Sequence, residues 1–546
     1  MSETTEDPVK FEQWKPEIER VRKIRDDSIV KEYLVPEDKL PAPDRMNVTN
    51  VPYEAGTMSE KELKITETTA VNLVAQMAAG ELSAEEVLIA FMKRATIAQQ
   101  LLNCVTEFLT EEAFAKAKEL DAYYKKTGKT TVGPLHGIPL SIKEHLSVKG
   151  KEVNAGFVGF IGRVVDEDNL QLSILKKAGV VPFARTNEPQ SLMHADSSNN
   201  IYGMTLNPYN RLLSAGGSSG GEGALVGFHG SPFGIGSDIG GSIRIPAAFN
   251  GCYGYRPTAQ RITVKGRTGA GAGQITILPS IGPLTQSAED LDLYMKTVTD
   301  GEPWEVDCLI PIMPWRKVDT PKSLTIGVMK DDGLVYPVKP MIRALDYAIE
   351  KLEKAGHKIV PFEAIKPREV YDVALNSFYA DNGSAQKAAL GLSGEPWLEL
   401  TKYALSYAKP LSTLEQWQQN AIRNAARVEW DAKMKELGID IILCPAYFGP
   451  AALSHDTEHW AYTALFNSLD MPGSVFPTGI TVDPKIDAED SFKARTEYEA
   501  KQRAKYLNAP EKYAGAPIDL QLIGRHYRDE EVLAYTKVIS AAILDK

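Results

Sequence analysis

Two glycine-rich turns, Gly216-Gly217-Ser218-Ser219-Gly220-Gly221 and Asp238-Ile239-Gly240-Gly241-Ser242, fall within one stretch from Ala215 to Pro257. Glycine is costly to order, so such density points to backbone at positive φ or to backbone brought close to a ligand. Both turns carry serine, and a serine hydroxyl becomes a nucleophile once a neighbouring base can take its proton. The chemistry these residue types suit is that of a serine hydrolase. Competing motifs fit less well. A phosphate-binding loop needs G-x-x-x-x-G-K-[ST], and no such lysine follows these glycines. A dinucleotide fingerprint needs a third glycine where Gly234-Ile235-Gly236-Ser237-Asp238 runs on to Ile239.

G-x-S-x-G fits twice, centred on Ser218 and on Ser219, and is the nucleophile elbow of α/β-hydrolases. That elbow should follow a buried strand and be served by a later histidine. The preceding run, LNPYNRLLSA, is a poor strand. The later histidines, His455 and His459, lie in the polar run SHDTEHW. The elbow is therefore the weaker reading.

The elements that must position these turns alternate along the chain. Val71, Val74, Ala75 and Ala78 have helical spacing, and Gly80 ends that helix. Ser83 with Glu86 three residues on is a capping box that opens the next one. VTEFL reads as a strand, LHGIPLSIKEHL as an extended run, LQLSILKKAG as a helix and VVPFART as a short buried strand. Lys265 to Gln274 is a loop, SLTIGVM a strand, residues 363–440 mostly helix and DIILCPAYF a buried strand. YTALFNSLDMPGSVFPTGIT and APIDLQLIGR read as strand and loop, and a helix closes the chain. This pattern predicts an α/β class with helices covering a sheet. Residues 61–546 read as one large domain. Residues 1–60 are charged and proline-punctuated, with a helical piece from Pro16 to Ile29, and read as an arm wrapping the larger body.

The chain has 546 residues, 43% hydrophobic and 24% charged, enough for a large core, and a net charge of −11. That charge argues against nucleic acid or an anionic membrane as main partner, since both reward clustered Lys and Arg. The four cysteines, Cys104, Cys252, Cys308 and Cys444, form no C-x-x-C pair and read as reduced thiols, mostly buried. The N-terminus is polar, and no apolar run approaches the ~20 residues a membrane helix needs. The expectation is a cytoplasmic protein with no integral membrane segment.

GGSSGGEGALVG followed by GIGSDIGGSIRIPAAFNGCYGYRPT resembles the signature of the amidase signature family. HGIPLSIKE is similar to that family's lysine motif, and ARTNEPQSL, GMTLNP, SIGPLTQSAEDL, YTALFNSLDMPG and GAPIDLQLIGR resemble its other segments in order, from about Ile65 to the C-terminus. Several segments look most like fungal acetamidase-type members. The resemblance implies a central mixed β-sheet covered by helices on both faces. It also implies a Ser-Ser-Lys triad, with Ser242 as nucleophile, Ser218 as bridging serine beside a cis peptide bond, and Lys143 as base. Physical chemistry is consistent with this. Lysine is a base only if its pKa is lowered, and the apolar run before Lys143 would desolvate the amine. On the same footing the N–H groups of Ile239, Gly240, Gly241 and Ser242 would face the oxyanion, and Leu192 would line the acyl pocket. Asp238 and Arg244 would be structural, holding the loop by hydrogen bonds or an ion pair. Phe378, Tyr379, Trp397 and Trp460 could line a pocket or fill the core.

The activity implied by the resemblance is hydrolysis of carboxylic amides through an acyl-enzyme, without metal or organic cofactor. The substrate would be a small-molecule amide, first a small aliphatic one such as acetamide, with fatty acid amides or aryl amides as alternatives. A homodimer is the family habit. Two rivals from other classes are a glutamine-hydrolysing subunit of an aminoacyl-tRNA amidotransferase and a non-catalytic binding protein on the same fold.

Overall fold

The computed structural model describes residues 5–488 and 491–545. Its strands, in chain order, are β1 (Val105–Phe108), β2 (Pro139–Lys143), β3 (Val181–Thr186), β4 (Ser198–Asn199), β5 (Gly203–Met204), β6 (Phe233–Asp238), β7 (Tyr253–Arg256), β8 (Ser280–Thr285), β9 (Thr325–Val328), β10 (Lys358–Pro361), β11 (Ile441–Pro445), β12 (Gly473–Thr481) and β13 (Pro517–Ile523). Eleven of them make one sheet in the order β1-β3-β2-β6-β8-β7-β12-β13-β11-β9-β10, and β4 and β5 pair separately. The sheet is mixed. β3, β2 and β6 run parallel at one end, and β11, β9 and β10 run parallel at the other. The strands between them, and β1, pair antiparallel.

β2, β3, β6, β8 and β11 are buried at every residue. This is why they read as continuous apolar or small-residue runs rather than as alternating ones: helices cover both faces. The parallel register β3-β2-β6 matters most for chemistry. It pairs Lys143 with Thr186 and Ile142 with Ile235, so the carboxyl ends of β2 and β6 open on the same edge of the sheet. Lys143 ends β2 and Asp238 ends β6. Crevices at such ends are where α/β sheets place ligands.

The helices follow their local signals. Gly80 is left-handed at φ +76 after Ala70–Ala79, and the Ser83–Glu86 capping box opens Ala84–Leu102. One expectation needs correction. Ala461–Leu469, read from the sequence as strand and loop, is a helix. All nine of its residues are buried, so it carries no polar stripe and no helical periodicity to read.

The N-terminal helix Lys15–Ser28 lies against the body. Ile18 and Val21 pack with Val158, Ile161 and Ile201, and Arg20 forks onto Glu152 through two bonds of 2.8 Å. Cys104, Cys252 and Cys444 are buried and Cys308 is exposed. Among the described residues no helix is long and apolar enough to cross a membrane.

Candidate active site

Lys143, between β3 and β6, is fully buried (0% exposed). Its Nζ lies 2.6 Å from Ser218 Oγ and 3.1 Å from Ser237 Oγ. Burial favours the neutral amine and lowers the pKa to about 8, against the opposing pull of Glu188, Asp238 and Glu222. Two of those carboxyls are themselves shifted toward the neutral form. Burial lifts Glu222 to about 8, although Ser141 and Thr186 donate to it. Burial and the neighbouring Glu144 carry Glu188 well above the usual carboxylate range. The environment thus leaves the lysine able to accept a proton near neutral pH.

The two serine turns are stitched to each other. Ser219 N donates to Ser242 O at 3.1 Å, and Ser237 N donates to Ser219 Oγ at 3.3 Å. The peptide between Gly217 and Ser218 is cis. A side chain on Gly217 would meet the Asp196 backbone at 2.4 Å, so glycine is required there. Helix Gly220–Gly227 leaves the first turn, and helix Arg244–Asn250 follows the second.

Asp238 anchors the second turn. It accepts from Gly241 N at 2.8 Å, from Arg244 Nε and Nη2 at 3.1 Å each, and from Asn467 Nδ2 at 2.9 Å. Burial alone would raise its pKa, but Arg244 holds it well below the usual carboxylate range. Asp238 and Arg244 therefore form the loop-holding ion pair expected of them, both side chains fully buried. Of the four amides expected to face an oxyanion, that of Gly241 donates to Asp238. The amides of Ile239, Gly240 and Ser242 donate to no protein acceptor among the described residues. Gly241 sits at φ +126, and a Cβ there would stand 2.1 Å from Thr463 Oγ1. Thr463 in turn donates to Gly240 O at 2.7 Å. The helix missed in the sequence, Ala461–Leu469, thus braces the turn through Thr463 and Asn467.

Ser242 is half-buried and borders two small cavities. One, of about 70 Å³, is lined by Ser218, Ser237, His145 and Arg267 among others. The second, of about 10 Å³, is mostly apolar: Leu192, Met193, Ala195, Ile245 and Trp460 line it with Ser242 and His194. Leu192 borders both, at φ +64. Phe378 stacks on Trp460 with ring centroids 5.9 Å apart. It also lines a wider cavity of about 490 Å³ with Ile275, Leu411 and Trp417. Trp460 and Phe378 thus stand between the two spaces. Tyr379 and Trp397, read beside them in the sequence, are buried and line neither small cavity.

The histidine partners of an elbow are elsewhere. His459 is buried between Asp332 at 2.8 Å and Tyr498 at 3.0 Å, and the His455 amide donates to Asp196 at 2.7 Å. Neither ring bonds to a serine of the turns among the described residues. The run before Ser218 holds only isolated bridges, not a strand. Two site residues escaped the sequence reading, Ser237 and His145. Ser237 sits inside the glycine motif itself, and His145 is two residues past Lys143.

A lysine base acts only as the neutral amine. With Lys143 as the base, the rate of reaction at the serine would rise about tenfold per pH unit below its pKa, near 8, and level above it. A pH profile of kcat/KM checks this, and a limb near 6.5 would indicate a histidine base instead.

The amidase family profile matches residues 86–533. An acetamidase of Emericella nidulans is 39% identical over 517 residues, covering 92% of this chain and 93% of its own. An acetamidase of Aspergillus oryzae is 36% identical over 511 residues, covering 90% of this chain and 93% of its own. A solved structure named fatty acid amide hydrolase superposes with a TM-score of 0.95 at 41% identity, covering 98% of this chain and 96% of its own. A bacterial aryl acylamidase shares the fold with a TM-score of 0.70 at 20% identity.

Proposed function

The chain belongs to the amidase family, and from that premise we propose that its triad is Ser242, Ser218 and Lys143, and that its preferred substrates are small aliphatic amides such as acetamide. The observation that carries the triad is the buried 2.6 Å contact between Lys143 Nζ and Ser218 Oγ, on a cavity that Ser242 also lines. Neutral Lys143 takes the Ser218 proton as Ser218 takes that of Ser242. Ser242 Oγ attacks the amide carbonyl. The oxyanion faces the unengaged amides of Ile239, Gly240 and Ser242, each typically worth ~3 kcal/mol in such a site. The proton returns through Ser218 to the leaving nitrogen, ammonia or amine departs, and water cleaves the acyl-enzyme by the same relay.

The size preference rests on the apolar cavity beside Ser242, which the pair Trp460 and Phe378 closes within about 10 Å³. A longer acyl chain would have to displace those rings to reach the wider space. The relative named fatty acid amide hydrolase keeps the long-chain reading as the alternative. The test is a panel of unbranched amides from two to eighteen carbons, run beside serine-reactive fluorophosphonate labelling with the adduct located by mass spectrometry. A label on Ser242 and highest kcat/KM at two to four carbons support the proposal. A maximum at long chains transfers it to fatty amides.

Trp460→Ala joins the two spaces. Hexanamide is expected to gain about tenfold in kcat/KM relative to acetamide, since its two methylenes beyond the four-carbon limit are newly accommodated at about 0.8 kcal/mol of transfer free energy each. An unchanged ratio would mean that the acyl group lies elsewhere.

A further inference from the structure

Lys143 has a second hydrogen-bonding branch that leads away from the triad. Its Nζ donates to Ser237 Oγ at 3.1 Å, Ser237 Oγ lies 2.9 Å from His145 Nε2, and His145 Nδ1 lies 2.9 Å from the Thr268 carbonyl. The polarity of this chain follows from its far end. A carbonyl oxygen only accepts, so Nδ1 carries the proton. A neutral imidazole with Nδ1–H has a bare Nε2, which can only accept. Ser237 must therefore spend its single O–H on His145, and toward Lys143 it can only accept.

The imidazole is kept in that neutral form by its surroundings. Burial lowers the His145 pKa well below its ordinary value, and the charges of Lys143 and Arg267 act in the same direction. Glu188 faces the backbone rather than the ring: it accepts from His145 N at 3.4 Å. The ring position is fixed by the chain on either side, because Thr268 N donates to His145 O at 2.9 Å and Ser147 N donates to Gly266 O at 3.0 Å.

We propose that His145 is a positioning residue for the base: by accepting the Ser237 hydroxyl at Nε2, it holds Ser237 as an acceptor toward Lys143 and keeps the amine lone pair turned to Ser218. The inference rests on the triad assigned above. A neutral amine has two hydrogens and one lone pair. With Ser237 locked as an acceptor, one N–H points at Ser237 and the lone pair is free for the Ser218 proton. Without His145, Ser237 can reverse its hydroxyl and donate to the lone pair, and the base is occupied by a group that does no chemistry.

The experiment is the rate of fluorophosphonate labelling at Ser242 across pH 6 to 10, in the wild type and in His145→Ala, His145→Leu, His145→Gln, Ser237→Ala and the double variant His145→Ala/Ser237→Ala. The two apolar replacements are expected to label about 30- to 100-fold more slowly, the cost of a misoriented catalytic group. His145→Gln offers an amide oxygen to Ser237 and is expected within about fivefold of the wild type. The double variant, which has no competing donor, is expected to recover at least about tenfold over His145→Ala. A histidine that merely supports the fold would make the double variant slower, not faster.

A double variant no faster than His145→Ala, or apolar variants within about threefold of the wild type, would overturn the proposal. If His145→Ala does not fold, His145→Leu carries the same comparison with His145→Leu/Ser237→Ala. Wild-type protein that hydrolyses acetamide but takes its label on a residue other than Ser242 overturns the triad itself, a result readable before any variant is made.

Discussion

Ser242→Ala is expected to lower amide hydrolysis by about 10⁵-fold with the fold intact. The change removes one half-buried hydroxyl, while the Ser242 carbonyl still accepts from Ser219 N at 3.1 Å and so keeps the two turns joined. Stability should therefore move by no more than about 0.5 kcal/mol. The activity that survives is the catalysis supplied by the oxyanion amides and by binding alone, which in serine hydrolases remains well above the uncatalysed rate. Ser218→Ala is the informative companion. It breaks the 2.6 Å contact that links the lysine to the reaction but leaves a nucleophile in place. Its loss is expected to be about 10³-fold, smaller than that of Ser242→Ala. The order of the two losses decides the role of each serine. Were Ser218 the attacking group, as an elbow would require, Ser218→Ala would be the more severe variant, and the phosphonate adduct would move to residue 218. Measuring kcat on acetamide together with intact-protein mass after labelling gives both answers from the same preparations.

The sequence carried the turns, the ion pair and the lysine because each is local. Gly217, Gly241 and Ser218 stand within short motifs whose chemistry can be named residue by residue. The apolar run before Lys143 foretold burial, and the structure leaves that residue without exposure. The features that stayed hidden depend on contacts distant in the chain. Helix Ala461–Leu469 is buried on all sides, so its composition suits a strand as well as a helix. Only the fold shows that Thr463 and Asn467 brace the turn 223 and 229 residues earlier. The Gly241 amide looked available because nothing in a glycine run states where its N–H points; Asp238, three residues back, claims it. Ser237 and His145 were in plain view as letters. Their roles depend on β2 and β6 ending side by side, a register no single segment states.

Lys143→Met is expected to move activity and stability in opposite directions. Activity falls by about 10⁴-fold, because no other base contacts Ser218 Oγ among the described residues. Stability at pH 7 should rise. Folding takes the lysine from its ordinary 10.5 to about 8, and holding that amine in a dry site costs about 3 kcal/mol at pH 7. Methionine fills similar volume without charge. Against that gain, Ser218 and Ser237 each lose a hydrogen-bond partner, at about 1 kcal/mol apiece, although Ser237 keeps His145. The net is a stabilisation of about 1–2 kcal/mol. The pH dependence fixes its origin. The unfolded chain holds the lysine proton up to about pH 10.5 and the folded one only up to about 8. The wild-type penalty is therefore fully present below pH 8 and is lost as pH rises from 8 to 10.5. The variant's denaturant midpoint should lie above that of the wild type at pH 7, cross it near pH 9 as the penalty falls to the worth of the two lost contacts, and lie below it by pH 10.5. A variant that is less stable at pH 7, or whose difference from the wild type ignores pH, would mean that the folded protein does not lower the Lys143 pKa. The amine would then stay protonated across the working range and could not act as the base.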